Sequence, residues 1–510
     1  MNAASVQNWR PLKALLGGLV DVPEYLEVSD LTQDSRSVTP GAAFFACRGG
    51  THHGLEFAAA AAAAGARAIL WEPAPGVQAP SVDASIVVRA VPNLRAQLGY
   101  IADRFYDAPS ASLTVAGITG TNGKTTCAWL LAQALERRGR RAAYIGTLGG
   151  GATDALTALG ATTPDALSLH RLLASFRAQG FEEVAMEVSS HALDQDRCAG
   201  VRFHTAVFTN LTRDHLDYHA DMSAYASAKA KLFDWPTLAA RVINVDDPFG
   251  LELAQDSRRG AESAQLFLTS QRPSEWLASG TQYVCASAVY AGDAGLELEI
   301  QSSRGEARLS SALIGDFNVD NLLTVLAVLL AWDVPLPAAC EALSHCSAPP
   351  GRMQPEGGCA APLVLIDYAH TPDALAKALQ AARTHCRGRL HCVFGCGGER
   401  DPGKRGEMGR IAARAADALI VTDDNPRTED PLQITDAIMQ GVMAAGAGAH
   451  TRVIHERALA IRAALASATA DDVVLVAGKG HEQYQLIGSE RRPFSDADVV
   501  RAALLDWRPA

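Results

Sequence analysis

The chain has 510 residues, 48% of them hydrophobic and 20% charged, the composition of a soluble globular protein too long for one core, so about two to four domains are expected. Its net charge of -11 argues against a general nucleic-acid binder, which needs a basic face, but leaves room for local basic pockets. No apolar stretch reaches about 18 residues without a charge or a break, so no membrane span is expected.

Residues 1–111 form the first unit. Residues 12–20 faintly mimic a signal peptide's apolar core, but Asp-Val-Pro-Glu follows instead of a small-residue cleavage site, so a helix is expected there. Asp34-Ser35-Arg36 leads through the turn Thr39-Pro40-Gly41 into apolar Ala42 to Cys47. Seven alanines, Ala58 to Ala64, predict a closely packed helix, since Ala is the best helix former. Strands at Ala68 to Trp71 and Ser85 to Val88 and a helix from Asn93 to Phe105 complete a small α/β domain, with Asp107-Ala-Pro-Ser110 as linker.

The second unit, residues 112–346, opens on the stretch around which the chain is organised. Leu113 to Ala116 is an apolar strand, Gly117, Gly120 and Gly123 open the backbone, and Thr125 to Arg138 continues as a helix. Strand, glycine loop and helix N-terminus make a phosphate cradle, in which glycines let backbone N–H groups turn toward an anion. Lys124 can reach the outer phosphates of a nucleotide, and Thr125 is placed to ligate Mg²⁺. The general P-loop has four residues between its first Gly and Gly-Lys; here five separate Gly117 from Gly123.

A strand at Ala142 to Ile145, a Gly-rich segment at 149–151 and a helix opened by Thr162-Thr163-Pro164-Asp165 follow. Strands at Phe181 to Val188 and Thr205 to Phe208 end in Glu187-Val-Ser-Ser-His191 and in Thr209-Asn-Leu-Thr-Arg-Asp-His-Leu-Asp-Tyr-His219. Alternating strands and helices predict a mostly parallel sheet with ligands at the strands' C-terminal ends, where these clusters fall. Glu187 suits Mg²⁺, a hard cation that takes carboxylate oxygens. His215 is a candidate metal ligand or base, and Lys229 lies in the helix Tyr225 to Phe233. Against these stand a strand-end surface charge, a satisfied loop histidine and a solvated helix face. Asn318 and Asn321, three apart at the start of an apolar helix, can hydrogen-bond a base edge, or Asn318 can cap that helix.

The third unit, residues 347–510, begins at the hinge Ser347-Ala-Pro-Pro-Gly-Arg-Met353. Strands Leu363 to Asp367, Leu390 to Phe394, Ala418 to Thr422 and Asp472 to Ala477 each end in a polar tip, which predicts a second doubly wound domain. Gly395-Cys-Gly-Gly398 resembles a dinucleotide loop, but charged residues follow it and no NAD site is assigned. Ten cysteines contain no C-x-x-C, so neither a zinc ribbon nor a disulfide framework is indicated; Cys392 and Cys396 are expected as buried thiols, and reduced cysteines suit the cytoplasm.

Gly120-Thr-Asn-Gly-Lys-Thr-Thr126, Glu187-Val-Ser-Ser-His-Ala-Leu193, Asn210 to His219, Asp367-Tyr-Ala-His-Thr-Pro-Asp373 and Gly478-Lys-Gly-His-Glu482, in this order, resemble the Mur ligase family over essentially the whole chain. The five-residue glycine spacing is that family's. Asp424-Asn425-Pro426-Arg427 matches its diaminopimelate-adding branch.

The resemblance implies an α/β fold of three domains, with a central P-loop ATPase-type parallel sheet and a C-terminal Rossmann-like domain. It implies an ATP-dependent ligase of peptidoglycan synthesis that joins meso-diaminopimelate to a UDP-muramoyl-dipeptide through an acyl phosphate. Lys124, Glu187, His215 and Lys229 would be catalytic, and Thr125, Glu187, His215 and a carbamylated Lys229 would hold Mg²⁺. Gly120, Thr121, Asn122, Gly123, Lys124, Thr125, Thr126, Asn318, Arg352 and Asp367 would meet ATP. Ser35, Thr162, Thr163, Ser189, Gln195 and Arg197 would meet the UDP substrate. Arg400, Asp424, Asn425, Pro426, Arg427, Gly478 and Glu482 would meet diaminopimelate. The third domain would close to keep water from the acyl phosphate. Neither nucleic acid nor membrane is an expected partner; the oligomeric state is left open, a monomer being plausible. The rivals are a folylpolyglutamate-synthase-like ligase and, in another class, a P-loop nucleotide switch.

Overall fold

The computed structural model describes residues 9–49, 52–216, 218–256, 263–272, 281–292, 295–358, 360–446 and 448–508. The chain divides into two compact units: residues up to Lys124 with Gly139–Ile243 and Asp247–Leu266, and Thr125–Arg138 with Asn244–Asp246 and everything from Phe267 on.

After a short antiparallel pair, Arg10–Pro11 with Glu27–Val28, the first unit has four parallel strands in spatial order Leu31–Thr32, Ala43–Ala46, Ala68–Trp71, Val87–Ala90. The middle two are buried on both faces, as their unbroken apolar runs require. Helices Leu12–Leu16 and Leu94–Phe105 cover one face through Leu15, Leu16, Leu98 and Ile101. The alanine helix, Ala58–Ala63, covers the other, with Ala58 and Ala61 against Phe44, Ile69 and Trp71. A methyl-sized side chain lets that helix lie close to the sheet. The fourth strand starts two residues later than the sequence suggested. Asp83 Oδ1 accepts from the backbone N–H (2.8 Å) and hydroxyl (2.6 Å) of Ser85, and this turn takes Ser85 out of the ladder.

Downstream, Thr114–Thr119 lies between Glu183–Glu187 and Thr205–Phe208, with Ala142–Gly146 and Ala240–Asn244 outside them, all parallel. Glu187 pairs in register with Ile118, and Phe208 with Thr119, so the polar segments that follow leave the sheet beside the glycine loop. The Gly-rich segment expected between elements is a strand. Gly149–Ala152 pairs antiparallel with both Ala142–Gly146 and Ala155–Thr157. Gly149 (φ 140°) and Gly151 (φ 143°) have positive φ, and a Cβ on either would press on Thr157 or Ala155 carbonyl oxygen.

In the second unit, the strand Gln265–Ser270 pairs from Phe267 on, in parallel, with Gln282–Gly292, which continues as an antiparallel meander through Gly295–Ser302 and Gly305–Ser311. The apolar helix Phe317–Ala331 follows. The C-terminal sheet has spatial order Gln354–Gly357, Leu363–Asp367, Val473–Ala477, Leu390–Phe394, Ala418–Val421, Thr451–Val453, antiparallel only at the first pair. Three helices, Pro372–Thr384, Gly403–Ala415 and Pro431–Ala444, pack on one face, and Arg457–Ala466 and Asp496–Asp506 on the other. This is the doubly wound arrangement, with the loops after 367, 394, 421 and 477 on one edge. Cys392 and Cys396 are buried, with thiols pushed up to about 12 by burial. Among the described residues no helix is long and apolar enough to cross a membrane.

Candidate active site

The glycine loop folds as a phosphate cradle should. Gly120 (φ 151°) and Gly123 (φ 85°) take backbone conformations that only glycine adopts readily, and a Cβ on Gly120 would collide with Thr209 Oγ1. The helix Lys124–Arg137 starts directly after Gly123. Lys124 Nζ donates to the carbonyl oxygens of Gly120 (2.9 Å) and Thr121 (2.8 Å). A segment assigned no role beyond His215 holds the loop in shape: Asn210 Oδ1 accepts from Asn122 N (2.9 Å), and Thr209 Oγ1 donates to Asn122 O (2.6 Å). The signal for these residues was their place immediately after the strand Thr205–Phe208.

Lys229 is 1% exposed, in the helix Met222–Ala230, and its Nζ donates to Gly120 O at 2.7 Å with the Tyr225 ring 4.4 Å away. It is therefore no solvated helix-face lysine. Burial, and then the charge of Lys124, hold its pKa well below the ordinary lysine value. Glu187 is also 1% exposed, so it is not a strand-end surface charge either. Its Oε1 accepts from Tyr144 OH (2.5 Å) and Thr147 N (2.9 Å), and its Oε2 from Thr147 Oγ1 (3.3 Å). His215 has φ 54° and packs its ring 4.8 Å from that of His191 and 6.1 Å from that of Tyr225.

Among the described residues no three His, Cys, Asp or Glu side chains are gathered as a metal cage. Mg²⁺ takes only one or two carboxylates and completes its shell with water and substrate phosphates, so a buried, oriented Glu187 beside a phosphate cradle fits that ion. Lys229 as an amine donor does not; a carbamate on it would.

The residues expected at the UDP substrate are largely brought together. Thr163 Oγ1 donates to Glu187 O (2.9 Å) and accepts from Ser189 N (3.1 Å), and Thr162 Oγ1 is 3.1 Å from Thr147 Oγ1. Arg197 donates to Thr163 O (3.1 Å) and Gln195 Oε1 (2.6 Å). Gln195 and Arg197 line a cleft of about 700 Å³ that Gln33, Arg48, Arg95 and Pro164 also border. Ser35 stands in the short 3-10 turn Ser35–Ser37 and is not part of that lining. Arg48 and Arg95, cationic and half-buried or exposed at the cleft, escaped the sequence reasoning because no motif surrounds them.

In the second unit, Thr125 Oγ1 lies 3.5 Å from Arg352 Nη2, and the Arg352 guanidinium sits 4.7 Å over the Tyr368 ring. Asp367 accepts from Met353 N (2.7 Å), and burial pushes its carboxyl up to about 6. Asn318 does not cap its helix; its Nδ2 donates to Ile314 O (2.8 Å) and its Oδ1 accepts from Asn321 Nδ2 (2.8 Å). Asn321 Oδ1 further accepts from the Cys127 thiol at 3.3 Å, so Asn321 is an internal tie and not a group held out to a base.

The diaminopimelate candidates form one nest of strand-end loops. Asn425 Nδ2 donates to Glu482 Oε2 (2.8 Å), and Gly478 (φ 117°) stands opposite Asp424. Arg427 has φ 54°, an unusual conformation for a non-glycine residue, and its Nη1 donates to Gly398 O at 2.6 Å. A Cβ on Gly397 would touch Arg427 Nη1 and approach exposed Arg400, so the Gly-Cys-Gly-Gly turn serves these arginines and opens no helix until Gly403.

Three family models match in succession: the Mur ligase catalytic domain over residues 27–106, the Mur ligase middle domain over 118–329 and the Mur ligase glutamate ligase domain over 351–480. The UDP-N-acetylmuramoyl-L-alanyl-D-glutamate–2,6-diaminopimelate ligase of Pseudomonas aeruginosa is 48% identical over 482 residues, covering 94% of this chain and 96% of that one. The chain belongs to the Mur ligase family. The Xylella fastidiosa ligase of the same name is 48% identical over 489 residues, with 95% and 96% covered. A solved structure bearing that name superposes with a TM-score of 0.70 at 34% identity, over 98% of this chain and 99% of the other. A folylpolyglutamate synthase of Mycobacterium tuberculosis shares the fold at 18% identity and a TM-score of 0.61, over 75% of this chain and 92% of its own. The Mur ligase architecture of three α/β domains is therefore that of this chain.

Proposed function

We propose that this Mur ligase adds meso-diaminopimelate to UDP-N-acetylmuramoyl-L-alanyl-D-glutamate, with ATP consumed to ADP and phosphate, in cytoplasmic peptidoglycan synthesis and hence in cell shape and division. Residues 1–111 take the uridine nucleotide, 112–346 ATP and 347–510 the amino acid. The observation that carries the reading is the nest of Asp424, Asn425, Arg427, Gly478 and Glu482, whose carboxylates and guanidinium suit the ammonium and carboxylate of an amino acid, in a chain that also carries a phosphate cradle.

A carboxylate is a poor electrophile, so the D-glutamyl γ-carboxylate oxygen attacks the γ-phosphorus of ATP and ADP leaves. The diaminopimelate amine then attacks the acyl carbon, loses a proton, and phosphate departs. The first step brings anions together, and Lys124 supplies positive charge at the β- and γ-phosphates, leaving the two carbonyls it now occupies. Thr125, Glu187, His215 and carbamylated Lys229 would hold Mg²⁺, which neutralises phosphate charge when bound. Tyr144 and Thr147 fix the Glu187 carboxylate in one orientation. Arg48, Arg95 and Arg197 supply cations to the diphosphate in the cleft, with Gln33 beside them. Asn318, Arg352 and Asp367 are assigned to ATP, with Asn321 only supporting Asn318.

Mass spectrometry of the product is the test. Incubation with ATP, the UDP-dipeptide and diaminopimelate gives one new species, heavier by diaminopimelate less one water, with one ADP and one phosphate formed per molecule. Phosphate release with no new species would favour a nucleotide switch, and glutamate addition to a folate a folylpolyglutamate-synthase-like ligase.

A further inference from the structure

Lys479 is 0% exposed, in the loop after the strand Val473–Ala477. A buried ammonium requires anionic or polar partners, and this one has three. Its Nζ donates to Glu482 Oε2 (2.8 Å) and Asn425 Oδ1 (3.0 Å) and lies 3.6 Å from Asp424 Oδ1. Leu486 N also donates to Asn425 Oδ1 (2.9 Å), which fixes the amide so that its Nδ2 meets Glu482. One cation thus orients three side chains that come from two separate loops. Arg457, also buried, is matched by Asp496 through two 2.7 Å bonds and leaves the balance unchanged.

The cluster is nevertheless one cation short. Asp424 and Glu482 bring two negative charges and Lys479 one positive. Asp424 Oδ1 is buried and accepts no hydrogen bond among the described residues. Gly478 has no side chain to fill the space before it: a Cβ there would come into van der Waals contact with the Asp424 carboxyl, 3.9 Å from that oxygen. We propose that Lys479 is a positioning residue that sets the Asp424–Glu482 end of the amino-acid site, apart from Arg427, at one net negative charge. The site then takes a single ammonium at Asp424 while the neighbouring substrate carboxylate goes to Arg427. The inference rests on the amino-acid reading of this nest.

Steady-state kinetics of three variants test it. Glu482→Gln leaves Asp424 and Lys479 in balance, so KM for diaminopimelate should rise about tenfold or more. Lys479→Met should raise the same KM by a similar factor, with KM for ATP and for the UDP-dipeptide within about twofold of the parent. Lys479→Met with Glu482→Gln restores one net negative charge, and its KM for diaminopimelate should fall below that of Glu482→Gln alone. That comparison stands even where Lys479→Met alone fails to fold. A double variant no better than Glu482→Gln overturns the inference, as does an ATP KM raised as much as that of diaminopimelate. A parent enzyme that does not respond to diaminopimelate overturns the reading of the site itself, and the inference with it.

Discussion

Lys229 Nζ lies 2.7 Å from the carbonyl oxygen of Gly120, donating into the same glycine loop that Lys124 spans. Only an unprotonated amine attacks CO₂, and the burial and neighbouring charge that depress the Lys229 pKa favour that form. Lys229→Ala should lower kcat by about a hundredfold or more, and formate or acetate should restore part of it. Lys231, exposed and paired with Asp194 at 3.2 Å, should tolerate alanine. Full activity of Lys229→Ala would remove the carbamate from the account.

Tyr144→Phe tests the orientation of Glu187. The ring stays packed while the 2.5 Å hydrogen bond is lost. Half-maximal activity should then need about tenfold more Mg²⁺, because oriented ligands bind metal more tightly. Circular dichroism should be unchanged. An unaltered Mg²⁺ response would mean that Thr147 alone suffices to hold the carboxylate.

Arg427 should select diaminopimelate over lysine, which lacks the second carboxylate. A planar guanidinium takes a carboxylate through two parallel bonds, and facing an ammonium instead leaves the charge unpaired. Arg427→Ala should cut the ratio of kcat/KM values for the two amino acids by about a hundredfold. An unchanged ratio would assign selection elsewhere.

The parts of this molecule that the sequence makes legible are those whose chemistry is local. Gly120 to Thr126 declare a phosphate cradle because the glycines and the lysine act within one turn, and strand ends such as Glu187 and Asp367 follow from apolar runs that stop at a carboxylate. The meander between 282 and 311 is harder to see. A register shift between Ala286 and Ala288 breaks the period-two alternation of its first strand. The contacts of Asn425 with Lys479 and Glu482 span more than fifty residues, and only the crossing order of the sheet brings those loops together. Lys229 and Glu187 were legible as candidates, but their burial, which decides between ligand and surface charge, is a property of the fold.

Asp320 gives a pH-dependent stability test. Burial pushes its carboxyl up to about 6, while Gln271 Nε2 donates to it at 2.8 Å. A folded-state pKa above the unfolded value means that the folded chain binds the extra proton, so this residue's contribution to stability falls as pH rises from about 4 through 6. Asp320→Asn keeps an acceptor for Gln271 without the charge. It should raise Tm by about 2–4 °C at neutral pH, a gain that shrinks at mildly acid pH. A gain of equal size at both would show that ionisation is not the cause.

The most direct test of the account is the rate of ADP formation with UDP-N-acetylmuramoyl-L-alanyl-D-glutamate and ATP, measured with and without meso-diaminopimelate. Turnover should depend on all three and stop when the amino acid is omitted, because the acyl phosphate then has no amine to leave for. Equal ADP formation without diaminopimelate would contradict the account.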